Sequence, residues 1–394
     1  MFFIHVFSYP VMPNESLKEY VISMRRYFHE NPELSFQEAS TISTIRKELE
    51  GMGLEVHEVK EGGLYADIQG MDGGKSVALR ADMDGLPITE DTNLPFRSKN
   101  HGVMHACGHD AHVAMLLGVA KRALEMKSKF RGRIRLLFQV AEERPPGGAV
   151  SLIRAGALKG MDYVLGQHVI SSFEAGTVAT FPREAMANAD EFRIRIIGKG
   201  GHGSAPHETI DALVVAAQFV TAAQAIVSRM IDPFLPSVIT FGTFNSGFRY
   251  NVIAPSADLT GTVRTFHREV QEKIRSELEN VLKNICAAYG AEYQYEYSEG
   301  YPTVINTQEI SEIVDSVAEE HLGKGKVLHP NPSMGGEDFA YYLHEIPGTF
   351  YFLGVGNAAK GITSPQHSPT YTVDEDTLEK GVEIMLGSAL RLLS

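Results

Sequence analysis

The chain has 394 residues, 43% of them hydrophobic and 22% charged, and its formal net charge is −13 at pH 7. This length exceeds what one core of typical domain size holds, so the sequence predicts two domains of ordinary globular composition. The acidic balance, and the lack of a long run of Lys and Arg, argue against nucleic acid as a partner.

Cysteine usage and the N-terminus bear on the compartment. The two cysteines, Cys107 and Cys286, are too few for a disulfide-held secreted scaffold and fit a reducing environment. The apolar segment 1–12 lacks the basic start and the cleavage site of a signal peptide, and it is too short to cross a bilayer. A start codon assigned too early, with Met12 as the true one, explains this segment equally well. Because no other segment reaches spanning length without charges, we expect a soluble, cytoplasmic protein with no membrane partner.

The sequence pattern begins with two helices and continues as an α/β alternation. Apolar residues three and four apart predict a helix at about 15–30, with Asn14 as its N-cap, and a second helix at 41–49. Buried strands and helices then alternate, as in an α/β sheet. The predicted elements of this part are the strands 76–81, 133–140, 162–167 and 349–355 and the helices 112–126 and 374–393.

The middle of the chain has a different order of elements. The pattern predicts a strand, a helix, two strands, a helix and a last strand, at 191–198, 209–230, 237–244, 257–266, 267–289 and 291–297. This β-α-β-β-α-β order is the ferredoxin-like signature. We therefore predict an α/β domain formed by 14–186 and 300–394, with a small α+β domain inserted at 187–299.

Three His and one Cys lie within the eight residues HACGHDAH at 105–112. Thiolate and imidazole are the usual ligands of zinc and related metals. A helix start with polar residues near its cap is the alternative interpretation. The density of metal-binding residue types favours a metal site.

Carboxylates follow two of the predicted strands. Glu142 and Glu143 come directly after the strand that ends at 140, and Asp82 and Asp84 follow the strand that ends at 81. Ligands of α/β folds bind at the C-terminal ends of strands. A metal-activated water needs a nearby carboxylate as a base, and other acids bind metal or orient a ligating His. For the Glu-Glu pair taken alone, a solvated acidic loop remains the alternative.

Two further histidines, His168 and His367, fall at or soon after the ends of predicted strands. Either one alone is more often a hydrogen-bonded histidine than a metal ligand. Their repeated coincidence with strand ends indicates a shared site.

Several motifs, taken together and in order, resemble the M20 metallopeptidase family and, within it, the amidohydrolase branch. The motifs are HENPELSFQE (29–38), HACGHDAH (105–112), AEE–PGGA (141–149), GQH (166–168), GHGSAPH (201–207) and GGEDF (335–339). That branch includes aminoacylases, hippurate hydrolases, N-acetyl-diaminopimelate deacetylases, auxin-conjugate hydrolases and thermostable carboxypeptidases. The resemblance covers nearly the whole chain from about residue 14.

The resemblance implies a zinc-peptidase-like catalytic domain with a ferredoxin-like α+β lid that also forms a dimer. It implies two divalent metal ions at the carboxyl edge of the sheet. Cys107 bridges the two metals, His109 and His168 complete one of them, and Glu143 and His367 complete the other. The Cys and His ligands favour zinc, while the Glu ligand and an open site also admit manganese, cobalt or nickel.

The resemblance also implies roles for residues around the metals. Glu142 is the general base, and Asp84 is the acid that orients a ligand. His202 reaches the active site of a partner subunit in a homodimer. The candidates for contacting the substrate and its carboxylate are Asn251, Arg249 and Arg264. We therefore expect hydrolysis of the amide bond of N-acyl-L-amino acids by a metal-activated water.

Two positions depart from the branch pattern. Val140 replaces a Pro that often precedes Ala-Glu-Glu, and the bulky residues 248–250 precede Asn251, where the branch more often has smaller ones. The second departure bears on the substrate pocket.

Three alternatives stay open. A metallocarboxypeptidase acting on short or N-blocked peptides cuts the same kind of bond, next to a free α-carboxylate. A non-catalytic amino-acid-binding protein that kept the fold is expected to have lost Glu142 or several ligands, yet all are present. A mechanism with Cys107 as nucleophile and His109 as base leaves the two Glu residues and the later His residues without a role.

Overall fold

The computed structural model describes residues 16–394. The apolar segment 1–12 and the predicted N-cap Asn14 lie outside the described residues. The helices of this part of the chain are α1 Leu17–Glu30, α2 Ala39–Gly51, α3 His109–Glu125, α4 Ala149–Arg154, α5 Ala212–Ala225, α6 Arg268–Tyr289, α7 Gln308–Leu322, α8 Ala340–Glu345 and α9 Leu378–Leu392. The strands are β1 Val56–Val59, β2 Gly63–Gln69, β3 Met71–Asp82, β4 Arg131–Gln139, β5 Tyr163–Glu174, β6 Val178–Ala179, β7 Glu184–Met186, β8 Ala189–Ile197, β9 Gly201–His202, β10 Ser237–Ser246, β11 Val252–Ile253, β12 Ser256–Thr265, β13 Glu292–Tyr301, β14 Val304–Ile305, β15 Val327–Leu328 and β16 Gly348–Gly356.

An eight-stranded sheet carries the main part of the fold, in the order β1-β2-β4-β3-β5-β16-β6-β15. Its central strands β4, β3, β5 and β16 run parallel to one another. Successive side chains of a strand point to opposite faces. Thus Val77 and Leu79 pack with helices α1, α2, α3, α7 and α9, whereas Ala78 packs on the other face with α4 and α8. The result is a mixed α/β fold whose sheet is covered on both faces.

The parallel strands bring their carboxyl ends to one edge of the sheet. β3 ends at Asp82, β4 ends at Gln139, and α3 begins near the same edge at His109. His168 of β5 lies opposite Phe352 of β16 in the ladder. This edge is where an α/β sheet presents its functional residues.

A separate four-stranded antiparallel sheet, in the order β10-β12-β8-β13, has its own hydrophobic core beneath α5 and α6. The elements follow the predicted β-α-β-β-α-β order. The sheet extends from Ala189 to Tyr301, and the domain boundaries at 187 and 299 stay a prediction. Its role as a lid or dimerisation domain stays a prediction.

Three predicted elements differ from the structure, and for the first two the cause is local. α1 begins after Ser16, which forms a capping box with Glu19. α3 begins at His109, three residues earlier than predicted, because Gly108 takes a left-handed conformation (φ 97°) that starts the helix without steric cost. β5 continues seven residues past the predicted end at 167, so His168 lies inside a strand rather than after one.

Among the described residues, Ala212–Met230 comes nearest to the spanning length considered in the sequence analysis, although it carries the charged Arg229. By length and composition alone, its 19 residues are apolar enough to cross a membrane. In the structure, Val215, Phe219 and Ala223 are buried in the core of the four-stranded sheet. This packed face is that of a core helix, and length and composition by themselves are weak evidence of a span.

Candidate metal centre

Cys107, Glu143 and His367 place their ligand atoms within 4.8 Å of one another. Nε2 of His367 lies 3.2 Å from Oε1 of Glu143. His367 comes from the loop after β16, and its backbone N–H donates to the carbonyl of Ala106 at 2.8 Å. This bond holds the loop against the segment that carries Cys107. The structure therefore brings together three of the five predicted ligands from three separate parts of the chain.

His109 and His168 belong to a neighbouring group in which Asp82 and His112 also lie within 4.8 Å. Nδ1 of His168 lies 2.7 Å from the carbonyl of Val169, which leaves Nε2 directed at Cys107 Sγ, 3.5 Å away. Nε2 of His109 lies 3.9 Å from Glu143 Oε1 and so connects the two groups. All five predicted ligands thus surround one space.

His112 lies in this second group, but both of its ring nitrogens already have partners. Nδ1 lies 2.5 Å from Asp82 Oδ1, and Nε2 accepts the backbone N–H of Val169 at 2.9 Å. The ring therefore connects α3 to β3 and β5 and is not free to bind a metal. His105, the remaining histidine of the 105–112 segment, is buried outside these groups, and burial lowers its pKa to about 4.

The buried Nε2 of His109 shows that a cation fits this space. Nδ1 of the same ring bonds to Asp84 at 3.1 Å, while Nε2 has no hydrogen-bond partner among the described residues. A buried polar atom without a partner is costly unless a ligand or ion completes it. Thiolate, imidazole and carboxylate donors together suit zinc and similar divalent metals. The residues present therefore fit a bound divalent cation.

The surroundings favour the protonated forms of two predicted ligands, His109 and Cys107. Although burial opposes it, the charges of Asp82, Asp84 and Glu143 raise the pKa of His109 to about 10. Burial, assisted by Glu143 and Glu142, raises the pKa of the Cys107 thiol well above its usual range. A nucleophilic cysteine needs the opposite shift, so the electrostatics argue against Cys107 as an attacking thiolate.

Asp84 lies next to the predicted ligand His109 and accepts four hydrogen bonds. Oδ1 accepts from Nδ1 of His109 and the backbone N–H of Glu142, both at 3.1 Å. Oδ2 accepts from Ser35 Oγ at 2.7 Å and from the backbone N–H of Glu143 at 3.0 Å. Burial opposes ionisation of Asp84, but the bond to His109 outweighs it and the pKa is lowered. Asp84 therefore fixes the His109 tautomer and the backbone of both glutamates.

Glu142 lies beside the predicted ligands His109 and Glu143 and is 6% exposed. Its backbone carbonyl accepts the hydroxyl of Tyr301 at 2.6 Å. Burial, followed by the nearby carboxylates of Glu337 and Glu143, raises the pKa of Glu142 well above its usual range. A carboxyl group with a raised pKa can both accept and return a proton near neutral pH.

Arg80 forms a buried ionic cluster that the sequence analysis did not predict. The guanidinium, 2% exposed, pairs with Asp82 at 2.6 Å, Glu337 at 3.0 Å and Asp338 at 2.7 Å. The two later acids belong to the GGEDF motif, which was noted only for its resemblance. The sequence signal that could have indicated this cluster was Arg80 itself, because a charged residue within an otherwise apolar strand needs buried partners of opposite charge. The cluster holds Asp82 and Glu337 close to Glu142.

A cleft of about 760 Å³ opens onto the ligands. Arg264 of β12 lines it together with Glu142 and Glu143. Its Nε donates to Thr262 Oγ1 at 3.0 Å, and burial lowers its pKa. The cleft is also lined by the apolar side chains of Ile170, Phe173, Phe181, Met186 and Phe352. The cleft can hold a ligand that has one anionic and one apolar part.

The other predicted contacts, His202, Asn251 and Arg249, are not among the described residues that line this cleft. His202 is exposed on β9, where Nδ1 accepts from the backbone N–H of Ser204 at 3.1 Å. β9 pairs with β11, which brings His202 beside the Asn251 segment. Contact of these three residues with a substrate stays a prediction.

Comparison with known proteins adds a family to this geometry. The model of "Peptidase family M20/M25/M40" matches residues 78–391. Thermostable carboxypeptidase 1 of Saccharolobus solfataricus is 42% identical over 373 residues, 93% of each chain. N-acyl-L-amino acid amidohydrolase of Geobacillus stearothermophilus is 45% identical over 296 residues, which cover 75% of this chain and 80% of that protein.

Two proteins of Bacillus subtilis are also similar. N-acetyl-L-cysteine deacetylase is 40% identical over 379 residues, which cover 96% of this chain and 89% of the relative. The crystal structure of the YxeP protein, described as a dinuclear metal binding peptidase from the M20 family, superposes with a TM-score of 0.84 at 34% identity. The superposition covers 96% of this chain and 98% of YxeP.

Proposed function

The chain belongs to peptidase family M20/M25/M40, and from this membership we infer that it is a metal-dependent hydrolase that cleaves the amide bond of N-acyl-L-amino acids. The observation that carries this function is the buried cluster of thiolate, imidazole and carboxylate groups with Glu142 beside it. Relatives named for amidohydrolase and deacetylase activities support the same reaction. A non-catalytic binding protein has no need of a buried base next to such a cluster.

We propose two divalent metal ions, with zinc as the native one because a thiolate and imidazoles dominate the donor set. Cys107 is the shared ligand, since its sulfur lies near both groups of donors. His109 and His168 hold one ion, and Glu143 and His367 hold the other. The unpartnered Nε2 of His109 supports its assignment as a ligand.

When bound, the metals supply Lewis acidity that activates water and polarises the amide carbonyl. Glu142 accepts the proton of the attacking water on a carboxylate oxygen and later gives it to the departing amine. Asp84 and Tyr301 hold the Glu142 peptide through its N–H and its carbonyl, so the base keeps one orientation. The buried surroundings of Glu142 exclude bulk water from this proton transfer.

Arg264 is proposed to bind the free carboxylate of the substrate. Its guanidinium lines the cleft with Glu142 and is partly buried. Carboxylate recognition by Arg is strong because the planar fork donates two hydrogen bonds. The apolar part of the cleft, which includes Phe173 and Phe352, then receives the acyl group or an apolar side chain.

The four-stranded sheet, 187–299, is proposed to be a lid and dimerisation domain of a cytoplasmic homodimer. Phe248 and Tyr250 are 77% and 96% exposed near the paired strands β9 and β11. Leu213 and Val214 are also exposed on this part of the molecule. Contiguous exposed apolar groups indicate a protein interface. In such a dimer His202, with Asn251 and Arg249, reaches the neighbouring active site.

A metallocarboxypeptidase is the second candidate, favoured by the 42% identity to thermostable carboxypeptidase 1. Both reactions cut an amide next to a free carboxylate, so Arg264 serves either one. Hydrolysis of matched N-acetyl amino acids, N-benzoyl amino acids and N-blocked dipeptides separates the two. Faster turnover of acyl amino acids supports the amidohydrolase, and faster turnover of blocked dipeptides supports the carboxypeptidase.

A further inference from the structure

Ala141 adopts an unusual backbone conformation immediately before the proposed base. Its φ is 56°, in the left-handed region that a residue with a Cβ rarely adopts. Ala141 precedes Glu142 and Glu143, so its conformation sets the direction in which both carboxylates leave the sheet. A contact from outside the turn is needed to stabilise this conformation.

Three successive backbone N–H groups of this turn donate to buried carboxylates. Those of Glu142 and Glu143 donate to Asp84 at 3.1 and 3.0 Å. The N–H of Ala141 donates to Oε1 of Glu38 at 2.8 Å. Glu38 lies 103 residues earlier in the chain and is 2% exposed. The turn is therefore held by two carboxylates, that of Asp84, which follows β3, and that of Glu38, which precedes α2.

The carboxylate of Glu38 does not cap its own helix. Glu38 is the N-cap residue of α2, yet its side chain makes no capping hydrogen bond. Glu33 does this instead, accepting from the backbone N–H groups of Ser40 at 3.1 Å and Thr41 at 2.8 Å. Burying a carboxylate is costly unless hydrogen bonds compensate, and burial raises the pKa of Glu38 to about 7. The N–H of Ala141 is thus one of the partners that compensate this buried carboxylate, beside the backbone N–H groups of Phe36 and of Glu38 itself.

We propose that Glu38 is a positioning residue that clamps Ala141 in the left-handed conformation, so that Glu142 faces the cleft while Glu143 joins the other proposed metal ligands. The inference rests on the proposed function, since it assigns Glu38 to the base of that reaction. Glu38 itself does not line the cleft.

Steady-state kinetics of three variants of the full-length, metal-loaded enzyme test the clamp. Glu38→Ala is expected to lower kcat about 10- to 100-fold with KM changed less than about threefold, because a displaced base slows the chemical step more than it weakens substrate binding. Glu38→Gln retains an acceptor oxygen for the Ala141 N–H and is expected to keep most of kcat. Glu33→Ala, which removes the helix cap but not the clamp, is expected to leave kcat unchanged. A Glu38→Ala enzyme with the kcat of the wild type overturns the proposal.

Relief of the backbone strain provides a rescue test. Glycine adopts positive φ without steric cost, so a turn with glycine at 141 no longer needs the clamp. The double variant Glu38→Ala with Ala141→Gly is therefore expected to recover most of the lost kcat. A double variant as slow as Glu38→Ala overturns the role of the strained turn. If Glu38→Ala does not fold, Glu38→Asp, which withdraws the carboxylate by one methylene group, takes its place in both comparisons.

Hydrogen exchange at the Ala141 amide tests the clamp without any activity assay. Loss of the bond to Glu38 is expected to speed exchange of this amide in Glu38→Ala but not in Glu33→Ala. Unchanged exchange in Glu38→Ala overturns the clamp whatever the activity. A wild-type enzyme that fails to hydrolyse any acyl amino acid or peptide, with Ala141 exchange still dependent on Glu38, overturns the proposed function and leaves the clamp standing.

Discussion

Replacing Asp84 with asparagine is expected to weaken both the fold and the metal site, because each carboxylate oxygen of Asp84 accepts two hydrogen bonds. The donors are His109 and the Glu142 backbone on Oδ1, and Ser35 and the Glu143 backbone on Oδ2. Asparagine replaces one of these oxygens with an NH₂ group. The hydroxyl of Ser35 can rotate and accept from that group, but the backbone N–H of Glu143 cannot.

The magnitude follows from these bonds. A buried hydrogen bond to a charged group contributes about 1.5–3 kcal/mol, so one lost bond and the weakening of the others cost about 3 kcal/mol in free energy of unfolding. Loss of the partner that orients a ligating histidine lowers metal affinity about 10- to 100-fold. The pKa of Asp84 is lower in the folded state than in the unfolded state, where it is about 4. The ionised carboxylate therefore stabilises the fold fully above pH 4, and this stabilisation is lost as the pH falls through the folded-state pKa.

Two measurements on purified Asp84→Asn check this expectation. Urea unfolding of the metal-free protein at pH 7 gives the change in free energy, and competition with a chelator gives the change in metal affinity. Asp72→Asn is the matched control, since Asp72 is an exposed carboxylate near the start of β3, the strand that Asp84 follows. An Asp84→Asn protein that keeps the wild-type stability and metal affinity refutes the reasoning.

Four further outcomes are expected. Glu142→Gln retains its metal and loses about 10²- to 10⁴-fold in kcat, since a general base contributes that much; turnover near the wild-type rate removes Glu142 from the mechanism. Cys107→Ala binds less metal by elemental analysis, because a thiolate ligand is lost; an unchanged metal content contradicts its role as a ligand. Metal affinity measured by calorimetry falls as the pH is lowered from 9 to 6, because protons compete with the metal for the histidine ligands. Glu143 raises the pKa of His367, and nearby acids raise the pKa of His109 to about 10. A metal affinity that does not depend on pH contradicts this. Arg264→Ala raises KM about tenfold or more for acyl amino acids, because a charged hydrogen bond to the substrate carboxylate is lost. The KM for the corresponding carboxamides is expected to stay unchanged. An equal increase of KM for both substrates shows that Arg264 does not bind the carboxylate.

The periodic parts of the sequence predicted their elements well, since amphipathic helices and buried strands follow from local patterns. The strand 133–140 and the helix 267–289 agree with β4 and α6 to within two residues at each end. α7 was missed although Ile310, Val314 and Val317 show the same helical spacing. The extension of β5 past 167 was not predictable from its own residues, because it depends on pairing with β16.

The candidate ligands were predictable because they cluster in sequence or follow strand ends. The residues that hold them were not. Arg80 meets Glu337 and Asp338 across more than 250 positions, and Glu38 meets Ala141 across 103. Local patterns do not state which distant segments come together, and a buried charge is explained only once its partners are known. The left-handed conformation of Ala141 likewise has no sequence signal, since alanine does not favour it.

The most direct test of a metal-dependent hydrolase is metal content by elemental analysis, combined with hydrolysis of N-acetyl, N-benzoyl and dipeptide substrates before and after chelation. About two metal ions per chain are expected, as in two-metal hydrolases, with activity lost on chelation and restored by added zinc or manganese. Hydrolysis that persists after the metal is fully removed contradicts the metal mechanism and returns Cys107 to consideration as the nucleophile.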